Sequence, residues 1–271
     1  MNTVLLNLRA IRGRAYPRIV GLTREPSWIF WETVLPLLSI SAFIYVYRSL
    51  NAPAMYEGFV VLGGVMTTYW LNVLWSMAAQ LYWEKETANL QLYLAAPMSK
   101  MSILAGMAFG AIVSTTLRAT AILMVGIFVF NVKFVISSPI LLFLVFVVAL
   151  LALYGMGMLF ASLYLMWGRE AWYLNNILQE PVYFLSGQYF PVKALGTFVA
   201  AAASVIPLTL GLDAMRQILF PESIPWGFLN PWIELALLAV LSVVFIIAAK
   251  YALDRIEYLG KVKGTLTMRW Q

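Results

Sequence analysis

Tyr82-Trp83-Glu84-Lys85-Glu86-Thr87-Ala88-Asn89-Leu90-Gln91-Leu92-Tyr93-Leu94-Ala95-Ala96-Pro97-Met98-Ser99-Lys100 is a polar island between two very apolar stretches. Residues 58–80 before it carry no charge, and another long apolar run begins at Met101. Within the island Trp83, Thr87, Leu90 and Leu94 recur at three-to-four-residue spacing, the period of a helix. That pattern places Glu84 and Glu86 in a first turn, where negative charge suits the positive end of the helix dipole. Pro97 stops the helix, because it removes a donor and biases the residue before it away from helical angles. The spacing predicts a short amphipathic helix over 82–100, lying across the membrane face with side chains offered to something outside the bilayer. A polar loop with incidental helical spacing is the competing reading.

The composition makes the surrounding solvent a membrane. Of 271 residues 62% are hydrophobic and 11% charged, whereas a soluble domain carries about 25% charge. Such a chain cannot cover a water-facing surface, so an all-α integral membrane fold is expected. The sequence has no cysteine and no histidine. Disulfides, zinc-thiolate sites, Cys nucleophiles, His bases and His metal ligands are thereby excluded, and no catalytic or metal site is expected. The net charge of +6 points to basic residues held at a cytoplasmic face rather than to nucleic acid. No cleavable signal peptide is visible.

Moving outward, residues 3–24 interleave Val4, Leu8, Ile11, Ile19 and Leu22 with Arg9, Arg12, Arg14, Arg18 and Arg24. This suits a helix lying in the interface with arginines toward anionic headgroups, broken or kinked at Pro17; a disordered basic tail is the alternative. A span needs roughly 20 apolar residues, and six candidates are found: 28–47, 58–81, 103–129, 138–166, 171–188 and 231–253. The fifth is interrupted by Asn175, Asn176, Gln179, Glu180 and Pro181, groups that in a span face protein or water.

Residues 189–230 decide the topology. Leu195 to Leu212 is apolar and nearly long enough to cross, but Pro207 interrupts it and Gly196 and Gly211 flank it. With six spans Arg118 falls inside the membrane, and Arg48, Lys133, Lys193 and Arg216 fall on one side. The remaining 13 of the 18 Lys and Arg residues fall on the side holding both termini. A seventh crossing would export the basic C-terminal tail against the positive-inside rule. Residues 189–219 therefore read as a re-entrant helical hairpin, with both termini and the 82–100 helix in the cytoplasm and the chain in the cell membrane. No internal repeat, linker or soluble domain is visible, so 1–271 is one transmembrane domain.

Chemistry-bearing residues are sparse. There is no Gly-x-x-x-x-Gly-Lys-Ser/Thr loop for nucleotide phosphates; Gly260-Lys261-Val262-Lys263-Gly264-Thr265 lacks the spacing and a preceding strand. Uphill transport would need ATP hydrolysed by another polypeptide. Arg118 lies mid-span in the third segment and Glu180 in the fifth, and their similar depth and opposite sign suggest mutual neutralisation or a shared polar cavity. Glu32 and Glu234 sit near span ends, able to reach water, and carry no assigned chemistry. Gly106 and Gly110, and Gly157 with Ala161, have the small-x-x-x-small spacing that permits close helix contact. Trp70, Trp75, Tyr183, Phe184, Tyr189 and Phe190 are mostly core or interfacial anchors, some of which could line a path.

Three stretches together resemble the permease subunits of the type-2 family of ATP-binding-cassette (ABC) exporters. Arg24-Glu25-Pro26 looks like that family's Arg-Asp-Pro approach to the first span, and Pro36 suits it. Glu84-Lys85-Glu86 through Leu90, Leu92, Leu94, Ala96-Pro97 and Met98-Ser99 looks like its acidic stretch with a Leu-Leu-x-Thr-Pro-type ending. Ala96 stands where Thr is common, and Thr87-Ala88 where Gly follows the acidic pair. Phe184-Leu185-Ser186-Gly187-Gln188-Tyr189-Phe190-Pro191, then Pro207-Leu208-Thr209 and Asp213-Ala214-Met215-Arg216, is the most specific string.

The resemblance implies a six-span half-transporter pairing with a second copy and with two cytoplasmic ATPase subunits, which would hold ATP and Mg; this chain itself holds no cofactor. Residues 1–27 would be the connecting segment. Residues 82–100 would be the coupling helix, with Glu84, Glu86, Leu90, Leu94 and Pro97 as its coupling residues. Residues 189–219 would be the re-entrant pair, carrying Gly187, Phe190, Pro191, Pro207, Asp213 and Arg216. The cargo would be an amphiphile or hydrophobe: a drug, a lipid or a lipid-linked glycan. An ATP-independent channel or carrier is the other reading, while the lack of His and Cys argues against an intramembrane enzyme.

Overall fold

The computed structural model describes residues 3–24, 26–167 and 171–263, all of whose regular structure is helical. Glu25, Arg169 and the tail from Gly264 lie outside the described residues, as does the side chain of Leu94. In chain order the helices are α1 (Thr3–Arg24), α2 (Pro26–Ser49), α3 (Met55–Asn72), α4 (Gln80–Glu86), α5 (Asn89–Ala95), α6 (Lys100–Phe128), α7 (Pro139–Trp167), α8 (Ala171–Leu185), α9 (Thr197–Ala203), α10 (Pro207–Leu219) and α11 (Pro231–Lys263). A π-helical turn, Val73–Ala78, joins α3 to α4.

Among the described residues five helices are long and apolar enough to cross a membrane: Phe30–Ser49, Met55–Glu86, Lys100–Phe128, Pro139–Leu165 and Pro231–Leu259. The apolar window of the second is 83% buried, against 11% for the first and 22% for the last. The second span is thus the core of the bundle, and α2 and α11 present apolar faces outward, as expected in lipid. The expected fifth span differs. α8 has 15 residues and so rises about 22 Å at 1.5 Å per residue, short of the ~30 Å hydrocarbon core. α9 and α10, bent 116° to one another, would make a sixth crossing only if taken as one broken span.

The small-residue motif of α6 finds its partner in α1. A Cβ on Gly106 would lie 2.6 Å from the Ile11 carbonyl oxygen, and one on Gly110 would lie 3.0 Å from that of Ala15. Only glycine admits so close a backbone approach. α1 therefore packs along α6 instead of lying with all its arginines toward headgroups. Arg9, Arg12 and Arg24 are exposed, while Arg14 and Arg18 turn inward. The helix also runs through Pro17 without ending.

The polar island is two helices, not one. The second span continues to Glu86, and α5 starts at Asn89 after Ala88, which sits at φ 64° in the left-handed region. This placement costs a non-glycine residue about 1–2 kcal/mol, so packing on both sides must impose the turn. Glu84 and Glu86 are consequently in the last turn of α4, the wrong end for the dipole, and Glu84 depends on an inward-facing arginine instead. α5 ends at Ala95, with Ala96 extended before Pro97, as the proline requires. Glu234 also departs from expectation: it is fully buried rather than in reach of water.

Candidate transport cavity and its polar junction

A cavity of about 750 Å³ opens between α2, the second span, α6 and α8. Glu32, Pro36 and Ile40 supply one wall, Thr67, Thr68, Asn72, Trp75 and Ser76 the second, and Gln179, Glu180 and Tyr183 the third; Gln188 and Tyr189 close one end. The π-helical turn carries Trp75 and Ser76 of this lining. Such turns place side chains where a regular helix would not, and they recur at functional sites. Trp75 Nε1 donates to Gln179 Oε1 at 2.8 Å, tying the second span to α8.

Arg118 and Glu180 both line this cavity, but they do not neutralise each other. Arg118 is ion-paired with Glu32 of α2, and its Nη2 donates to Thr115 Oγ1 at 3.2 Å. Depth along two helices says nothing of which way each faces, and it is α2 whose carboxylate faces α6. Glu180 meets the Gln179 amide at 3.3 Å.

The hairpin residues anchor the backbone at Gln188, which lines the cavity. Arg216, buried in α10, donates to the carbonyls of Phe190 at 2.9 Å and Gln188 at 2.7 Å, with its guanidinium 4.8 Å over the Phe59 ring. Gly187 turns at φ 65°, and a Cβ there would meet the Phe190 carbonyl oxygen at 2.6 Å. Asp213 accepts from Gln217 Nε2 and from the Phe228 N–H, both at 2.8 Å, holding the chain that leads into α11. Pro191 precedes a short 3-10 turn, and Pro207 opens α10 at its first turn, where a missing N–H costs nothing.

At the far end of the second span a polar junction surrounds Glu84. Arg14 of α1 ion-pairs with it, Gln80 Nε2 donates to it at 2.8 Å, and Tyr93 Oη of α5 donates at 3.4 Å. Arg14 also lies 5.3 Å over the Tyr93 ring. Arg18 donates to the Ser76 carbonyl at 3.1 Å and to Gln80 Oε1 at 3.0 Å, and bonds the Ser76 hydroxyl. Burial pulls the Arg18 guanidinium down to about 10, so it stays charged at neutral pH. Burial likewise pushes the Tyr93 phenol up, with the Glu84 carboxylate adding to the effect and Arg14 opposing it. The N–H of Ser99, before α6, donates to Asn7 Oδ1 of α1 at 2.9 Å, and Lys100 ion-pairs with Glu257 of α11.

Glu84 and Leu90 therefore face the protein's own body: Leu90 is buried among Leu81, Ile103, Leu104 and Leu253. The outward surface of this segment includes Thr87, Asn89, Gln91, Leu92, Ala95 and Pro97, with Leu92 68% exposed. Glu86 is half-buried. Sequence reasoning missed Glu32, Arg14, Arg18, Thr67 and Gln188. Of these only Arg14 and Arg18 left a signal, two cations four residues apart on one face of a helix.

These features define a multi-pass, all-helical membrane protein with a polar cavity beside its central span. A family model described as "ABC-2 type transporter" matches residues 18–220, and the chain belongs to that family. The chain is 27% identical over 181 residues to "Probable multidrug ABC transporter permease YbhR" of Escherichia coli strain K12, and equally to the protein of that name in Escherichia coli O157:H7. The match covers 65% of this chain and 48% of each relative, so the chain spans about half the length of the curated relatives it matches.

Proposed function

We propose that this chain forms the translocation path of an ATP-driven exporter in the cytoplasmic membrane, as a pair of copies with two ATPase subunits that hold ATP and Mg. In this reading α8, short as it is, completes a sixth crossing, so that both termini and α5 are cytoplasmic; α9 and α10 form a re-entrant hairpin, and the cargo is an amphiphile or hydrophobe. The Escherichia coli relatives, named as multidrug permeases, favour a drug among these cargoes.

The observation that carries the reading is the junction at Glu84. Outward, α5 offers Asn89, Gln91 and Leu92 to a partner; inward, Tyr93 and Glu84 join it through Arg14 and Arg18 to Ser76, which lines the cavity. A push on α5 is therefore delivered to the cavity wall and to α1 together. The coupling surface falls on Leu92 and Pro97, not on Leu90.

The test is a pull-down of tagged protein from native membranes with an ATPase assay of what accompanies it. Leu92→Asp should release a stoichiometric ATPase while the chain stays monodisperse. A homo-oligomer without nucleotide hydrolysis would sink the exporter reading in favour of an ATP-independent channel or carrier.

A further inference from the structure

We infer that the cavity binds the cationic head of an aromatic amphiphile, with Glu180 as its counter-charge. Calling that ligand a cargo rests on the exporter reading; the binding itself does not.

Three charged side chains line the cavity: Glu32, Arg118 and Glu180. Glu32 and Arg118 neutralise one another. Glu180 remains, exposed and bonded to the neutral Gln179 amide, with no ion pair among the described residues. An exposed carboxylate on a cavity wall attracts a cation and repels an anion, the more so where apolar walls focus its field.

The uncharged lining points the same way. Gln188 and Thr67 are 4% and 5% exposed, yet Gln188 Oε1 and Thr67 Oγ1 have no hydrogen-bond partner among the described residues. Buried polar atoms of this kind carry a desolvation penalty until something bonds them. A carbonyl oxygen can only accept and a hydroxyl can do either, so both are satisfied by an N–H donor. The one buried orphan among the described lining residues that can only donate is Arg118 Nε, on a side chain already paired. Donors on the guest thus suit the site, and an anionic head would meet Glu180 and the Gln188 carbonyl unfavourably.

The rest of the lining suits an aromatic body. Trp75, Tyr183 and Tyr189 border the same space, and ring faces attract cations as well as stacking on flat guests. A volume of about 750 Å³ lies within the range of pockets for drug-sized ligands.

The experiment uses the full chain in phosphatidylcholine nanodiscs and two probes with one fluorophore, dansylcadaverine (an ammonium) and dansyl-6-aminohexanoate (a carboxylate). The cation should bind at least about tenfold more tightly than the anion. Glu180→Gln should weaken the cation about tenfold to a hundredfold, the range of one charge-assisted hydrogen bond, and leave the anion no weaker. Glu180→Lys should reverse the preference, and both variants change an exposed side chain, so folding is not at stake. Equal binding of the two probes, or cation binding indifferent to Glu180→Gln, overturns the inference. Stimulation of a co-purified ATPase by the anion alone would overturn it too, while leaving the exporter reading in place. Cation selectivity set by Glu180 in a chain that never yields an ATPase supports the site and removes the exporter reading.

Discussion

Replacing Glu84 by Gln keeps the side chain's volume and removes its charge. Arg14, whose side chain is 19% exposed, would then face a neutral amide, and Gln80 and Tyr93 would lose a charged acceptor. A hydrogen bond to a charged group contributes about 1.5–3 kcal/mol, and the Tyr93 contact at 3.4 Å is the weakest of the three. Breaking a fully buried pair costs about 3–5 kcal/mol. Arg14 keeps some access to water, so a loss of about 2–3 kcal/mol is expected. At roughly 2–4 °C per kcal/mol for a domain near this size, the midpoint should fall on the order of 5–10 °C. The assay is thermal unfolding in nanodiscs followed by tryptophan fluorescence, for wild type, Arg14→Met, Glu84→Gln and the double variant. The double variant should lose less than the two singles added, with a coupling of about 1–3 kcal/mol. Strict additivity, or a Glu84→Gln midpoint within about 1 °C of wild type, would refute the view that this pair holds α1 to the central span.

Gly106→Leu should drive α1 off α6, since its Cβ would overlap the Ile11 carbonyl; over-packing of this kind costs about 1–3 kcal/mol, and protease cleavage within residues 3–24 should accelerate. Glu32→Gln should lower expression by leaving Arg118 buried without its carboxylate, and Glu32→Arg with Arg118→Glu should restore it. The corresponding swap of Arg118 with Glu180 should not, and rescue by that swap would show that the Glu32 pairing is wrong. Ala88→Gly relieves the left-handed strain at φ 64° and should leave the unfolding midpoint unchanged or raise it by up to about 1 kcal/mol equivalent. Ala88→Val should lower it.

Hydropathy and length made the long spans readable, because the bilayer demands them whatever the helices pack against. The glycine spacing in α6 was likewise visible, though not that α1 was its partner. Direction was what stayed hidden. A helical period over residues 82–100 does not register a left-handed Ala88, since the usual glycine marker is absent there. It therefore put Glu84 at a helix start and Leu90 on an outward face, when Glu84 ends a long helix and Leu90 faces Leu81 and Ile103. Depth matched Arg118 to Glu180, but azimuth matched it to Glu32. The same limit hid Gln188, whose place in the cavity follows from Arg216 gripping the backbone beside it, a contact between residues 28 apart in sequence.

The π-helical turn makes the second span a rod with a torsional joint. Six residues from Val73 to Ala78 are wound more loosely than the helix on either side, and any change in their winding turns α4 about the axis of α3. Rewinding them would swing Glu84 around the rod and out of line with Arg14, and would withdraw Trp75 and Ser76 from their present positions. Arg18, bonded to the Ser76 carbonyl, would resist that rewinding. In the proposed exporter, a sideways force on α5 and a twist at the cavity wall would be two ends of one motion.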